Sequence, residues 1–240
     1  MTRARFIPSS LAAMCARGAI RRRVLAVAAA ALLLSGAYAS ARAADAIRVV
    51  EAHTVPVPEL PAVPGASHTL RLEVYSFAGT RWSADEIRAA VIASSRLLAQ
   101  CGVAVASVGL QVLETPRRFH FYRTPVSREL VRALTVSKPA LFFVEDTHTQ
   151  PAFDAEAIGR GNARTRPELE NTVWVAYGAR DLPYALAHEL VHVLSDSGEH
   201  STAPGNLMQA ETSPQNAALT DAQCERLRSR GEESGLLERR

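Results

Sequence analysis

The chain has 240 residues, 48% of them hydrophobic and 21% charged, and a formal charge of +3. Its basic character is concentrated at the start: residues 1–43 hold seven arginines and no acid, and the remainder carries 20 basic and 24 acidic residues, a formal −4. Nothing in that balance suggests the clustered basic face that nucleic-acid binding needs in the mature domain.

Arg21-Arg22-Arg23 stands directly before Val24 to Leu34, an apolar run of eleven residues, and Ala41-Arg42-Ala43 offers small residues for cleavage before Ala44. This is signal-peptide architecture over residues 1–43. The apolar run is too short to span a bilayer. Export to the periplasm or medium is the expectation, with no stable membrane insertion once the signal is removed. Residues 44–68 carry prolines at 56, 58, 61 and 64 and read as an extended leader or linker. A single domain is expected over residues 69–240, long enough to bury a substantial core.

Within it, strand and helix signals alternate. Leu70, Leu72 and Val74 alternate with Arg71, Glu73 and Tyr75, which predicts a first strand. Ser83-Ala84-Asp85-Glu86 has the spacing of a capping box and opens a helix to about residue 100. Val103 to Leu113 reads as a second strand, Thr124-Pro125 opens a short helix to Leu134, and Ala140 to Val144 is a short apolar strand. A stretch with Gly159 and Gly161 precedes a strand at Thr172 to Tyr177, and a last helix runs from about Thr220 to Arg230. The picture is an α+β domain with a sheet beside long helices. Trp82 and Trp174 are expected in or near the core, and His120 and His148 as ordinary strand or loop residues.

Between the last strand and the last helix lies His188-Glu189-Leu190-Val191-His192. Composition alone gives about 0.01 occurrences of this pattern in such a chain. Asp181 is placed to cap a helix there, Pro183 to occupy its first turn, and Leu182, Ala185, Leu186, Leu190, Val193 and Leu194 to bury it. Histidines four apart share one helix face, so both rings can face one ion, and Glu189 stands where it could take a proton from a water activated by that ion. A catalytic zinc needs a third protein ligand. His200 is the first candidate and requires the chain to turn back, for which Ser195-Asp196-Ser197-Gly198 is suited, with the glycine free to take a left-handed helix end. Asp196, Glu199 and Glu211 compete for that role. Tyr184, one turn before His188, is expected to pack.

Residues 188–200 (HELVHVLSDSGEH), followed by Gly205-Asn206-Leu207-Met208, resemble the metzincin-type zinc metallopeptidases, whose signature is HExxHxxGxxH and then a methionine-bearing turn beneath the metal. Two differences stand out. The family's glycine falls at Ser195, and seven residues rather than five separate His192 from His200. The resemblance implies one Zn2+ held by His188, His192 and His200, Glu189 as general base and Met208 as the turn methionine. It also implies a twisted mixed sheet packed on long helices, the active-site helix carrying HExxH. In that family an edge strand holds an extended peptide; Ala155 to Gly161 is the expected counterpart. The partner would be a peptide or protein substrate; the oligomeric state is not indicated.

Cys15 leaves with the signal, so Cys101 and Cys224 remain, either as one disulfide in an oxidising compartment or as two buried thiols. Two functions stand side by side at this point. One is an exported zinc-dependent endopeptidase. The other is a secreted zinc-binding module, which the absence of a cysteine beside the motif disfavours, because structural zinc is closed by four ligands that often include cysteine.

Overall fold

The structure is a computed structural model and describes residues 47–147, 157–160 and 169–240. The segment read as a signal, His148 and the outer parts of the stretch 155–161 lie outside the described residues.

The strands are β1 (Arg48–Thr54), β2 (His68–Phe77), β3 (Val103–Glu114), β4 (Phe121–Tyr122), β5 (Ala140–Val144), β6 (Asp146–Thr147), β7 (Ala157–Arg160), β8 (Thr172–Ala176) and β9 (Leu237–Arg239). The helices are α1 (Ala84–Ala99), α2 (Thr124–Leu134), α3 (Leu182–Ser195) and α4 (Asp221–Glu233). The main sheet runs β1-β3-β2-β5-β8-β7. Its centre is parallel, from β3 through β2 and β5 to β8, and its two ends are antiparallel, β1 on β3 and β7 on β8. The start of β2 also pairs with β9, which adds residues 237–239 to the sheet. Strands β4 and β6 form a separate parallel pair.

β5 and β8 are buried on both faces, which is why, Thr172 apart, they are apolar rather than alternating. On one face Leu70, Leu72, Val74, Leu141, Phe143, Val173 and Val175 pack with Ile87, Val91 and Leu98 of α1, Leu186, Leu190 and Leu194 of α3, and Leu227 of α4. On the other, Tyr75, Phe77, Phe142 and Trp174 pack with Leu130 and Val131 of α2. Trp174 stacks on Phe142 at 4.2 Å between centroids, and Trp82 donates its Nε1–H to the Val144 carbonyl at 2.8 Å. Each fully buried aliphatic or aromatic side chain contributes about 1.5–3 kcal/mol. Together these side chains fix α3 rigidly beneath the sheet.

Two readings of the sequence change here. Residues 48–54, inside the stretch read as a leader, form β1 and pair antiparallel with β3, and Val55 and Leu60 enter the core. All seven residues of β1 are exposed, so main-chain bonds rather than a buried face hold it, and no apolar alternation marks it. The turn after α3 is made by Asp196, at φ 46° and ψ 50°, and not by Gly198, whose φ is not positive. Aspartate tolerates the left-handed region better than most side-chain-bearing residues. Its N–H bonds the His192 and Val193 carbonyls and closes the helix. Asp181, too, takes a left-handed conformation before α3 and makes no side-chain cap; its carbonyl accepts from the Tyr184 and Ala185 N–H groups.

Candidate metal centre

His188 and His192 project from the same face of α3 with their Nε2 atoms 2.9 Å apart. The chain reversal at Asp196 returns His200 to them, its Nε2 3.3 Å from that of His192. Among the described residues these three form a group able to hold a metal ion, with all candidate ligand atoms within 4.8 Å of one another. Asp196, Glu199 and Glu211 are exposed and are not part of the group.

The other nitrogen of each helical histidine is committed. His188 Nδ1 lies 2.8 Å from the Leu207 carbonyl and His192 Nδ1 2.6 Å from the Ser197 carbonyl. A carbonyl oxygen only accepts, so each Nδ1 carries the hydrogen, and each Nε2 presents a lone pair. Two lone pairs then face each other at 2.9 Å with no proton between them. A cation at the point of convergence resolves that repulsion, and a backbone carbonyl on the far nitrogen is the arrangement that orients metal-bound imidazole. Burial, opposed by the bond to Leu207 and reinforced by the neighbouring imidazoles, pushes His188 down to about 4, and burial also lowers His192. Both rings are therefore neutral near pH 7, the form that binds metal. His200 is exposed, at the rim of the site.

Glu189 is half-buried beside His188 on α3. Tyr184 packs against the core. Met208 is 3% exposed and belongs to the same core; its N–H donates to Asn206 Oδ1 at 2.9 Å and its carbonyl accepts from Ser201 N–H at 2.7 Å. The residue after His200 is thus tied to the turn that carries Met208. That turn begins at Gly205, whose φ of +78° suits glycine.

Cys101, just beyond α1, and Cys224, in the first turns of α4, are joined by a disulfide. Sequence reasoning did not single out the Ser197 and Leu207 carbonyls, nor Asn206 and Gln223, whose side chains pair beneath the site. The signals existed in part. An asparagine two residues before a turn amide is a common turn former, and Thr220-x-x-Gln223 has capping-box spacing.

No protein family matches the chain by sequence, and no curated protein does. Among solved structures the fold is similar to that of metalloproteinase-II from Bacteroides fragilis, with a TM-score of 0.51 and 19% identity, covering 73% of this chain and 57% of that one. The chain therefore spans a little over half the length of that protein. At this identity the similarity establishes the fold. No helix among the described residues is long and apolar enough to cross a membrane.

Proposed function

We propose that this protein is an exported, metzincin-like zinc endopeptidase in which His188, His192 and His200 hold the metal and Glu189 is the general base. The observation that carries the reading is the convergence of three imidazole nitrogens, two of them oriented by backbone carbonyls. The donor set suits zinc, which favours imidazole nitrogen. Two nitrogens on one tetrahedral zinc lie about 3.3 Å apart, given bonds of about 2.0–2.1 Å. The separations of 2.9 and 3.3 Å are close to that value.

Zinc held by three histidines supplies a Lewis acid that polarises a carbonyl and makes a water acidic near neutral pH. Glu189 takes the proton of the attacking water and returns it to the departing amine. Strand β7 pairs with β8 at the end of the sheet order and packs beside α3. In this reading its main chain would align an extended peptide by strand addition. Met208, buried in the core, would be the turn methionine.

The test is cleavage of a diverse peptide library by zinc-loaded residues 44–240 beside the Glu189→Gln variant. The variant is expected to retain stoichiometric zinc and to lose about 10²–10⁴-fold in turnover. Equal cleavage by both proteins would remove Glu189 from the mechanism. Zinc bound with no cleavage by either would favour the non-enzymatic binding module.

A further inference from the structure

The ring of His188 is held by a carbonyl that belongs to a turn, and turns do not hold themselves. Leu207 donates its own N–H to the Ala218 carbonyl at 2.7 Å, and the residue after it, Met208, is held by the side chain of the residue before it, Asn206. Asn206 is 4% exposed, and its Oδ1 accepts the Met208 N–H. Its amide meets the amide of Gln223 on α4 in two bonds: Asn206 Nδ2 donates to Gln223 Oε1 at 2.9 Å, and Gln223 Nε2 donates to Asn206 Oδ1 at 3.1 Å.

The orientation of both amides is dictated by main-chain donors. Gln223 Oε1 also accepts the Thr220 N–H at 2.8 Å, which requires oxygen there, and Asn206 Oδ1 accepts the Met208 N–H. With both oxygens so fixed, each remaining nitrogen points at the other residue's oxygen, and the reciprocal pair is the only consistent arrangement. Gln223 is itself anchored. It is the third residue of α4 in a capping box with Thr220, and it adjoins the bridged Cys224. The segment leading to it is held to the end of α1 by Gln100, which donates to the Ala217 carbonyl at 3.0 Å and accepts from Leu219 N–H at 2.7 Å.

We propose that Gln223 is a positioning residue of the metal centre, holding Asn206 and, through it, the Leu207 carbonyl that orients His188. This rests on the metal-site reading above. A glutamate would serve the capping box equally well. It could not donate to Asn206 Oδ1, and would set an oxygen against an oxygen. Glutamine is therefore required by the second task and not by the first, which separates positioning from helix capping.

The experiment measures zinc affinity by competition with a chromophoric chelator, and the His188 tautomer by nitrogen NMR of the zinc-free protein, for the unmutated protein, Gln223→Ala and Gln223→Glu. Gln223→Ala should weaken zinc 10–100-fold, in the range seen when an outer partner of a metal ligand is lost. Gln223→Glu, which keeps the capping bonds, should lower the unfolding midpoint less than Gln223→Ala does but still weaken zinc by at least several-fold. In both variants the His188 signal should shift from the Nδ1–H form towards a mixture. Unchanged zinc affinity in both variants overturns the inference, and full recovery by Gln223→Glu reduces Gln223 to a cap. If the unmutated protein and His188→Ala bind zinc equally, it is the metal-site reading that fails, and the tautomer measurement still reports on the Gln223 link.

Discussion

The candidate metal centre has two arms built in different ways. His188 and His192 stand on a buried helix whose side-chain spacing is a property of any α-helix, so their convergence needs only that α3 forms. His200 and the Leu207 carbonyl come from irregular chain, 200–208, with no repeating geometry. That arm is assembled from particular bonds: Asp196 reversing the chain, Ser201 tied to Met208, and Asn206 locked to Gln223. One arm is specified locally, and the other is borrowed from the disulfide-anchored start of α4. The second should fail first when the tertiary structure is loosened.

The bridge offers the largest way to break that contrast. Cys101 and Cys224 are 123 residues apart, and a cross-link of that span stabilises by about 4–5 kcal/mol in the chain-entropy model. Cys224→Ala and Cys101→Ala should each lower the urea unfolding free energy by an amount approaching this. A loss below about 1 kcal/mol in both would show that α4 is held by packing alone, and that the loop arm does not lean on the bridge.

The helical arm has its own weakness, in acid. In the metal-free folded protein His188 sits at about 4 against an ordinary 6.5, so between those values the unfolded chain binds the proton that the folded chain refuses. Stability must therefore fall as pH drops from 6.5 towards 4, with a slope of up to about 1.4 kcal/mol per pH unit from this one group. The accumulated loss is roughly 3 kcal/mol, and His192, lowered by its own burial, adds to it in the same direction. Urea unfolding in the presence of chelator at pH 7 and pH 5 measures the effect. His188→Gln should flatten the profile; an unchanged profile would mean that other groups carry the acid response.

The same division explains what the sequence made legible. The parallel strands β2, β3, β5 and β8 and the four helices were readable because local periodicity and buried apolar runs coincide there, as in Leu70-Leu72-Val74 and Ala140 to Val144. The spacing of His188 and His192 was readable for the same reason. Strand β1 was not, since all seven of its residues are exposed and its stability lies in main-chain pairing with a strand some sixty residues onward. The reversal after α3 falls within Ser195-Asp196-Ser197-Gly198, as the composition suggests, but the left-handed residue is Asp196 and not the glycine, because a helix-ending residue must follow the last turn directly. The supports of His188 and His192 are backbone carbonyls. A carbonyl has no sequence signature, and where it points is decided by the turn around it.

Arg226 provides the finest test of how α4 serves the loop arm, since it lies one turn after Gln223 and reaches for the same segment. Its Nη1 bonds Glu199 Oε2 at 2.7 Å, immediately before His200, but the two side chains are 45% and 78% exposed. Water screens such a pair, and ordering two long side chains offsets most of what attraction remains, so Arg226→Ala should change stability by less than about 1 kcal/mol. Zinc affinity should stay within about twofold of the unmutated protein, well short of the 10–100-fold range expected when an oriented partner of a metal ligand is lost. Titrating both variants, Arg226→Ala and Gln223→Ala, under one set of conditions decides between two routes from the same helix. If Arg226→Ala proves the more damaging, α4 acts on the metal through Glu199 and His200 at the exposed rim; if Gln223→Ala does, it acts through the buried turn beneath His188.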